Sequence, residues 1–274
     1  LTSGAGNVAV GYQSLDAATD SDYNTAVGYG ALSGVNASGT QGNTAMGYNA
    51  GLAITSGLYN TLVGRASGLA LIGGSANTFM GNYAGGNTTA AANCVVIGYT
   101  AANANMTPDA NGTVAIGHSA LIALTTGEKN TAVGYLSLGT DDGVNNTAVG
   151  YQALKANCGG YNTAVGTQAL QAVTGAQNTA VGWDAGGSII GGDNNVCIGS
   201  NAGDVITTGD GNTCLGDGTD PSAVGGANQT VIGFNTTGKG NNTVTLGNDD
   251  VTDIYMASDS GANIRADNAI MLIQ

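Results

Sequence analysis

The chain has 274 residues, of which 48 are glycine and only two are proline, and its formal net charge is −13. With five basic residues it cannot neutralise many phosphates, so we expect no nucleic-acid partner. No run of 18 apolar residues occurs, so we expect no membrane insertion.

The first predicted element is a five-residue motif, Asn-Thr-Ala-Val-Gly at Asn24–Gly28, which returns along the chain fifteen times at steps of 14 to 19 residues. Its closing glycines are Gly11, Gly28, Gly47, Gly64, Gly81, Gly98, Gly117, Gly134, Gly150, Gly166, Gly182, Gly199, Gly216, Gly233 and Gly247. A short, nearly constant period is typical of a stacked solenoid, and disordered chains lack such apolar periodicity. We therefore predict an all-β, parallel β-solenoid of about fifteen short coils over residues 1–250.

Each motif predicts a short strand that is apolar on both faces. An aliphatic residue such as Val27 precedes every glycine, and a β-branched residue such as Thr25 stands two positions earlier. These two share one strand face, and the residue between them, Ala26 in this copy, is nearly always apolar as well. Strands of this kind are usually buried on both faces. We predict that one face fills the coil and that other subunits cover the second face.

Asparagine opens eleven of the fifteen copies, and stacked copies would form a ladder of amide hydrogen bonds along the axis. The closing glycine either adopts a conformation barred to other residues or permits a close approach of two backbones. The sequence leaves these two roles of the glycine open.

After each glycine we predict a turn, a second short strand and a loop. Longer loops lie at Val35–Gln41, Leu69–Ala76, Gly86–Asn93 and Asn103–Asn111, where a solenoid tolerates insertions. Exposed loops of this kind are common sites of recognition.

A large side chain directly follows many of the glycines, and several of these are aromatic. Exposed aromatic side chains commonly serve recognition, so this column is the candidate recognition surface. The alternative is a stacked ladder that packs under the loops. The candidate surface-recognition residues are Tyr12, Tyr29, Tyr48, Tyr99, Tyr135, Tyr151 and Trp183.

The pattern fails after Val251, and the apolar pieces at 254–256, 263–265 and 269–273 lack the motif. We predict that residues 251–274 form a C-terminal cap or a junction to a further module, because a solenoid end exposes unpaired strand edges. At the other end, Leu1–Gly4 has no basic and apolar regions of a signal peptide, and we expect the start to lie inside a longer parent chain.

The repeat resembles the YadA-like head repeats of trimeric autotransporter adhesins, through cores such as Ala115-Ile116-Gly117. It is more similar to a related repeat of bacteriophage tail fibres, in which the sequence found here at Asn146–Leu154 is common. The resemblance covers about residues 5–250 and implies a left-handed β-roll with three chains side by side. The coils here are longer than those of adhesin heads, and these 274 residues show no coiled-coil stalk or membrane anchor. Asp259–Gln274 resembles the segment that precedes a self-cleaving chaperone domain in many tail fibres.

Residues that carry chemistry are few. His118 is the only histidine, and it has no nucleophile or carboxylate pattern near it, so a surface or packing role is favoured over catalysis. We expect no enzymatic activity, no cofactor and no metal. The aspartates of Asp204–Asp220 faintly resemble calcium-binding repeats, but those have a nine-residue period, and turn-forming aspartate is the favoured interpretation.

The four cysteines, Cys94, Cys158, Cys197 and Cys214, fit no zinc spacing. Cys197 and Cys214 occupy one column in adjacent copies, which places them about 5 Å apart, close to disulfide reach. Small core side chains that replace alanine are the favoured interpretation of this pair.

Two classes of function remain open. One is a structural and receptor-binding fibre, a phage tail fibre shaft or tip, with two further copies of itself and a host surface glycan or protein as partners. A bacterial trimeric adhesin head is a variant of this binding class. The other class is a purely structural extracellular filament or spacer without a ligand. The expected location is the virion, or the extracellular space and cell surface.

Overall fold

The computed structural model describes residues 4–140 and 143–254, which form an all-β parallel solenoid. Fifteen of its strands make one parallel sheet whose order follows the chain order, so the predicted fold class is confirmed. With fourteen steps of about 4.8 Å, the sheet extends roughly 70 Å. In chain order the strands are β1 (Val8–Val10), β2 (Ser21–Asp22), β3 (Thr25–Val27), β4 (Gly39–Thr40), β5 (Thr44–Met46), β6 (Thr61–Val63), β7 (Thr78–Met80), β8 (Val95–Ile97), β9 (Val114–Ile116), β10 (Thr131–Val133), β11 (Thr147–Val149), β12 (Thr163–Val165), β13 (Thr179–Val181), β14 (Val196–Ile198), β15 (Thr213–Leu215), β16 (Thr230–Ile232) and β17 (Val244–Leu246).

The register of the sheet places each motif residue beside the same motif position in the next coil. Ala148 pairs with Ala164 and then Ala164 with Ala180, and the flanking columns follow the same rule. Coils of different length keep this register, because the extra residues are accommodated in the loops. The sequence columns are therefore physical columns along the solenoid.

The middle residue of each strand points into the coil. From β3 to β16 this residue is fully buried, as at Ala26 and Val231. The aliphatic residue that precedes the glycine points outward and is partly or largely exposed, with Met46 50% and Val165 37% exposed. The prediction of two different apolar faces is thus confirmed, and the small central residue is the one that fills the coil.

The interior of each coil is filled by complementary volumes. Six coils combine a strand alanine with a leucine four residues after the glycine, as in Ala148 with Leu154. Where the strand residue is larger, the later residue is small, as in Phe79 with Gly85, where an added Cβ would lie 2.6 Å from the Phe79 Cδ2. Two coils have small residues at both positions, Ala45 with Gly51 and Ala180 with Gly186, and there Ile54 and Ile189 lie beside the glycine.

The predicted second strand is wrong for most coils. Among the described residues outside the main sheet, only β2 and β4 pair as strands, and Asp220 and Thr237 form a single bridge. The reason is local: residues two and four positions after the glycine, such as Gln152 and Leu154, have φ near +50° and interrupt an extended chain. The coils are still joined there, because the Leu154 N–H donates to the Ala169 carbonyl at 3.0 Å.

The asparagine ladder is confirmed. At Asn178, the backbone N–H donates to Asn162 Oδ1 at 2.9 Å, and Nδ2 donates to the Gly192 carbonyl at 2.8 Å. Asn178 Oδ1 in turn accepts the backbone N–H of Asn195 at 2.9 Å. The backbone-to-amide bond repeats from Asn7 to Cys94 and from Asn130 to Gln229. Each buried amide therefore satisfies backbone groups of its neighbouring coils.

The closing glycine is required for both of the reasons that the sequence left open. Gly117 has φ +132°, a conformation that L side chains rarely adopt. A Cβ at this position would also lie 2.6 Å from the carbonyl oxygen of Gly134 in the next coil. Conformation and close approach thus act together at this corner.

The loop Asn103–Asn111 contains a short 3₁₀ helix, Pro108–Ala110. Its Ala110 is buried, together with Met106, so this insertion adds side chains to the core. The predicted cap or junction at 251–274 lies outside the described residues from position 255 onward, as do the apolar pieces assigned to 263–265 and 269–273.

We expect Gly117→Ala to destabilise the solenoid by at least ~2 kcal/mol, since it adds both backbone strain and overlap with Gly134. Equilibrium unfolding in urea measures this difference. Gly191→Ala is the matched control, because an added Cβ there meets nothing within 4 Å and φ lies outside the left-handed region. Equal destabilisation by the two variants would contradict the role of the corner.

We expect Asn178→Ala to destabilise the chain by roughly 2–4 kcal/mol, because the Asn195 N–H and the Gly192 carbonyl lose a buried partner. The same urea experiment measures it. Asn87→Ala changes an exposed asparagine of the loop Gly86–Asn93 and should be nearly neutral. A neutral Asn178→Ala would show that the ladder carries little of the stability.

Candidate recognition surface

The aromatic column forms two stacked ladders along the solenoid. Because the strands are in register, the residue after each glycine lies one coil from its counterpart. Tyr12, Tyr29 and Tyr48 stack with ring centroids 5.3 Å apart. The second ladder is Tyr99, His118, Tyr135 and Tyr151, with centroid distances of 5.1 to 5.5 Å. The structure thus brings together six of the seven candidate residues and adds His118 in its packing role.

These ladders are exposed and do not pack under the loops. The seven candidate side chains are between 43% (Tyr135) and 68% (Tyr12) exposed. The alternative interpretation, a stacked ladder that packs under the loops, therefore describes the stacking of the rings correctly but not their exposure to solvent. Stacking also hides the faces of the inner rings, so Tyr29 or Tyr135 presents its ring edge and hydroxyl to solvent.

Arg65 continues the first ladder where the aromatic residues stop. Its guanidinium lies 5.9 Å from the ring centroid of Tyr48 and 5.1 Å from that of Tyr83. Arginine stacks well on aromatic faces, so the cation replaces a ring in the column. Sequence reasoning missed this contact, although Arg65 directly follows Gly64 and its column position was a usable signal.

Trp183 differs from the other candidates because it forms no stacked pair with another ring among the described residues. Its neighbours in the column are Thr167 in the coil before and Ser200 in the coil after, both too small to cover an indole. Trp183 is 53% exposed. The neighbouring residues of the column therefore leave the faces of the Trp183 ring uncovered.

A second surface feature is the outward-facing aliphatic strip, formed by the residue before each closing glycine. The strands contain no charged residue on this face, and the strip continues from Val10 to Leu246. Fifteen side chains that each expose roughly 50 Å² make a strip on the order of 800 Å². The largest apolar patch on a typical monomer is about 300–600 Å², so this strip is unusually large.

Three aspartates meet near the C-terminal coils. Asp220 occupies the position that carries Leu154 or Gly203 in other coils, which explains its partial burial. Burial and the neighbouring Asp204 carboxylate raise the pKa of Asp220 to about 6, and burial together with Asp204 also raises the pKa of Asp184. Within residues 4–140 and 143–254, no group of three metal-ligating side chains is placed to hold a metal ion.

All four cysteines are buried. Cys197 and Cys214 are register partners in β14 and β15, as their column predicts. A hydrogen bond with Cys214 and burial raise the pKa of Cys197 well above its ordinary value. The Cys197 thiol is therefore a protonated core side chain, and a thiol in that state is a poor nucleophile.

Comparison with known proteins finds no protein family that matches the chain and no curated protein that matches it significantly. None of the described segments is a helix long and apolar enough to cross a membrane. The fibre-like interpretation therefore depends on the repeat and on the geometry of the solenoid.

We expect stability to depend on pH through Asp220. Its pKa is raised in the folded chain, so its charge destabilises the fold above about pH 6, and this penalty disappears as the pH falls through 6 toward the unfolded value near 4. Asp220→Asn should raise the melting temperature at pH 7.5, and the gain should shrink toward pH 4. Asp16→Asn, which removes an exposed carboxylate, is the control. A gain that is equal at both pH values would contradict this assignment.

Proposed function

We propose that the chain is a structural and receptor-binding fibre, a phage tail fibre shaft or tip that adheres to a host cell surface as a homotrimer. The observation that carries this proposal is the outward aliphatic strip. It runs along the whole sheet, contains no charge and is exposed in the single chain.

The strip has the size and chemistry of an interface between copies of this chain. A standard protein interface buries roughly 800 Å² per partner, which is comparable with the strip. Water contact with that much apolar surface is costly, and cyclic assembly around an axis parallel to the solenoid removes it in every copy. Three copies is the number that the resemblance to tail fibres and adhesin heads implies.

Recognition of a host surface is supported by the exposed aromatic column and by the loops. Tyrosine and tryptophan are the side chains most enriched at binding sites, because each combines a large apolar area with a polar group. A host surface glycan or protein is the partner that this chemistry fits. The proposed location is the virion or the extracellular surface.

A purely structural spacer is the second candidate, and the stacked rings favour it. Rings that cover each other at 5.1–5.5 Å stiffen the column and leave few faces for a ligand. The same geometry fits a bacterial trimeric adhesin head, although the coils here are longer than those of adhesin heads.

We expect the wild-type chain to give a trimer in native mass spectrometry and Val165→Asp to give a monomer with an unchanged coil fold. Val165 points outward from β12, so a charge there is solvated in the single chain but would be buried and unpaired in an assembly. Gln177→Asp, at an exposed turn of the adjoining coil, is the control and should remain trimeric. A monomeric wild type would end the trimer proposal.

The receptor part of the proposal is tested with the same two proteins. The labelled trimer should bind bacterial surface polysaccharides on a glycan array or intact bacteria, and monomeric Val165→Asp should bind far more weakly because it loses avidity. A trimer that binds neither supports the spacer.

A further inference from the structure

We infer that the gap between Tyr151 and Trp183, with Thr167 as its floor, is a slot that binds one pyranose ring of a surface glycan. This inference rests on the proposed function and specifies the ligand class and the place of binding. The slot is the only position in the column where a single small residue separates two aromatic residues.

The spacing of the slot follows from the register. Val149, Val165 and Val181 are consecutive strand partners, so Tyr151, Thr167 and Trp183 are consecutive positions of the column. Two strand spacings place the two rings roughly 10 Å apart. Occupied positions of the column have centroids 5.1–5.5 Å apart, so the empty position has the width of one ring.

The two walls are accessible. Tyr151 stacks on Tyr135 with one face, and its other face is directed along the column toward Thr167. Trp183 is 53% exposed and Tyr151 47%, and Thr167 is also exposed. A ring that enters here lies between the aromatic side chains of Tyr151 and Trp183, which both offer a large apolar area.

The polar groups beside the slot favour a sugar over an apolar ring. Gln168 Nε2 donates to Gln171 Oε1 at 3.2 Å, and Gln171 Nε2 donates to Gln152 Oε1 at 2.9 Å. Gln152 and Gln168 directly follow Tyr151 and Thr167.

The two ends of this amide chain remain open to a ligand. Gln168 Oε1 and Gln152 Nε2 form no other side-chain hydrogen bond within the described residues, which leaves one acceptor and one donor. A pyranose matches this combination, because its faces carry apolar C–H groups and its rim carries hydroxyls.

The sequence provides a specific optical probe, since Trp183 is the only tryptophan. The assembled wild-type protein is titrated with methyl pyranosides of glucose, galactose, mannose and N-acetylglucosamine, and the tryptophan emission is followed. We expect a saturable change in emission with at least one of them. No change with any of the four overturns the slot, while binding of the trimer to the glycan array would still support the proposed function.

Two variants locate the site. Thr167→Tyr fills the slot with the residue that the column carries elsewhere, so the fold should be kept and the affinity should fall at least ~10-fold. Ser200→Tyr covers the other face of Trp183 and should leave the affinity within ~2-fold of wild type. Equal titration of Thr167→Tyr and wild type, or loss of binding in Ser200→Tyr, overturns the assignment.

The oligomeric mass of Thr167→Tyr is measured in parallel by native mass spectrometry. The same number of subunits as in the wild type is expected for a sugar slot. A different number would show that a side chain of a second copy occupies the gap, and the inference would be overturned.

Discussion

The structure depends on in-register stacking of coils about 4.8 Å apart, which places equal motif positions beside each other. Each residue lies beside the same motif position of the next coil. An interaction that stabilises one pair of coils is therefore repeated along the whole sheet. The buried amides of Asn162, Asn178 and Asn195 show this directly, since each satisfies a backbone group of the next coil. The same rule makes a charge expensive, because it would meet its like at every step. The small share of charged residues in this chain, 8%, is consistent with that cost.

The glycine corner sets how closely the coils approach. With a Cβ at Gly117 or its equivalents, the backbones could not keep this distance, and the ladders on both sides of the corner would separate. The interior then adjusts by volume: Phe79 requires Gly85, whereas Leu154 fills the coil of the smaller Ala148. The loops are free of these constraints, which explains why coils of different length share one register.

The apolar side chains inside the coil are buried, but the aliphatic side chains on the outer face of the sheet are partly or largely exposed in the single chain. The aliphatic strip is unpaired in the single chain, and its length is the length of the solenoid. The single chain therefore buries one apolar face of the sheet and leaves the other exposed to water. The exposed aromatic column directly follows the closing glycines, and the aliphatic strip directly precedes them.

The sequence by itself determined the solenoid, its fifteen strands, the two apolar faces and the asparagine ladder, because all four follow from columns that repeat at a fixed register. It could not show which face was interior, since both were apolar, nor which of two roles the glycine had. The prediction of a second strand was wrong because residues such as Gln152 adopt a left-handed backbone conformation, and the residue type does not reveal that conformation. Only the tertiary structure decided that the rings of Tyr99 and Tyr135 stack in the open, that Arg65 completes one ladder, and that Trp183 stands unpaired. Those outcomes depend on side-chain directions across neighbouring coils, and a period along the chain does not encode them.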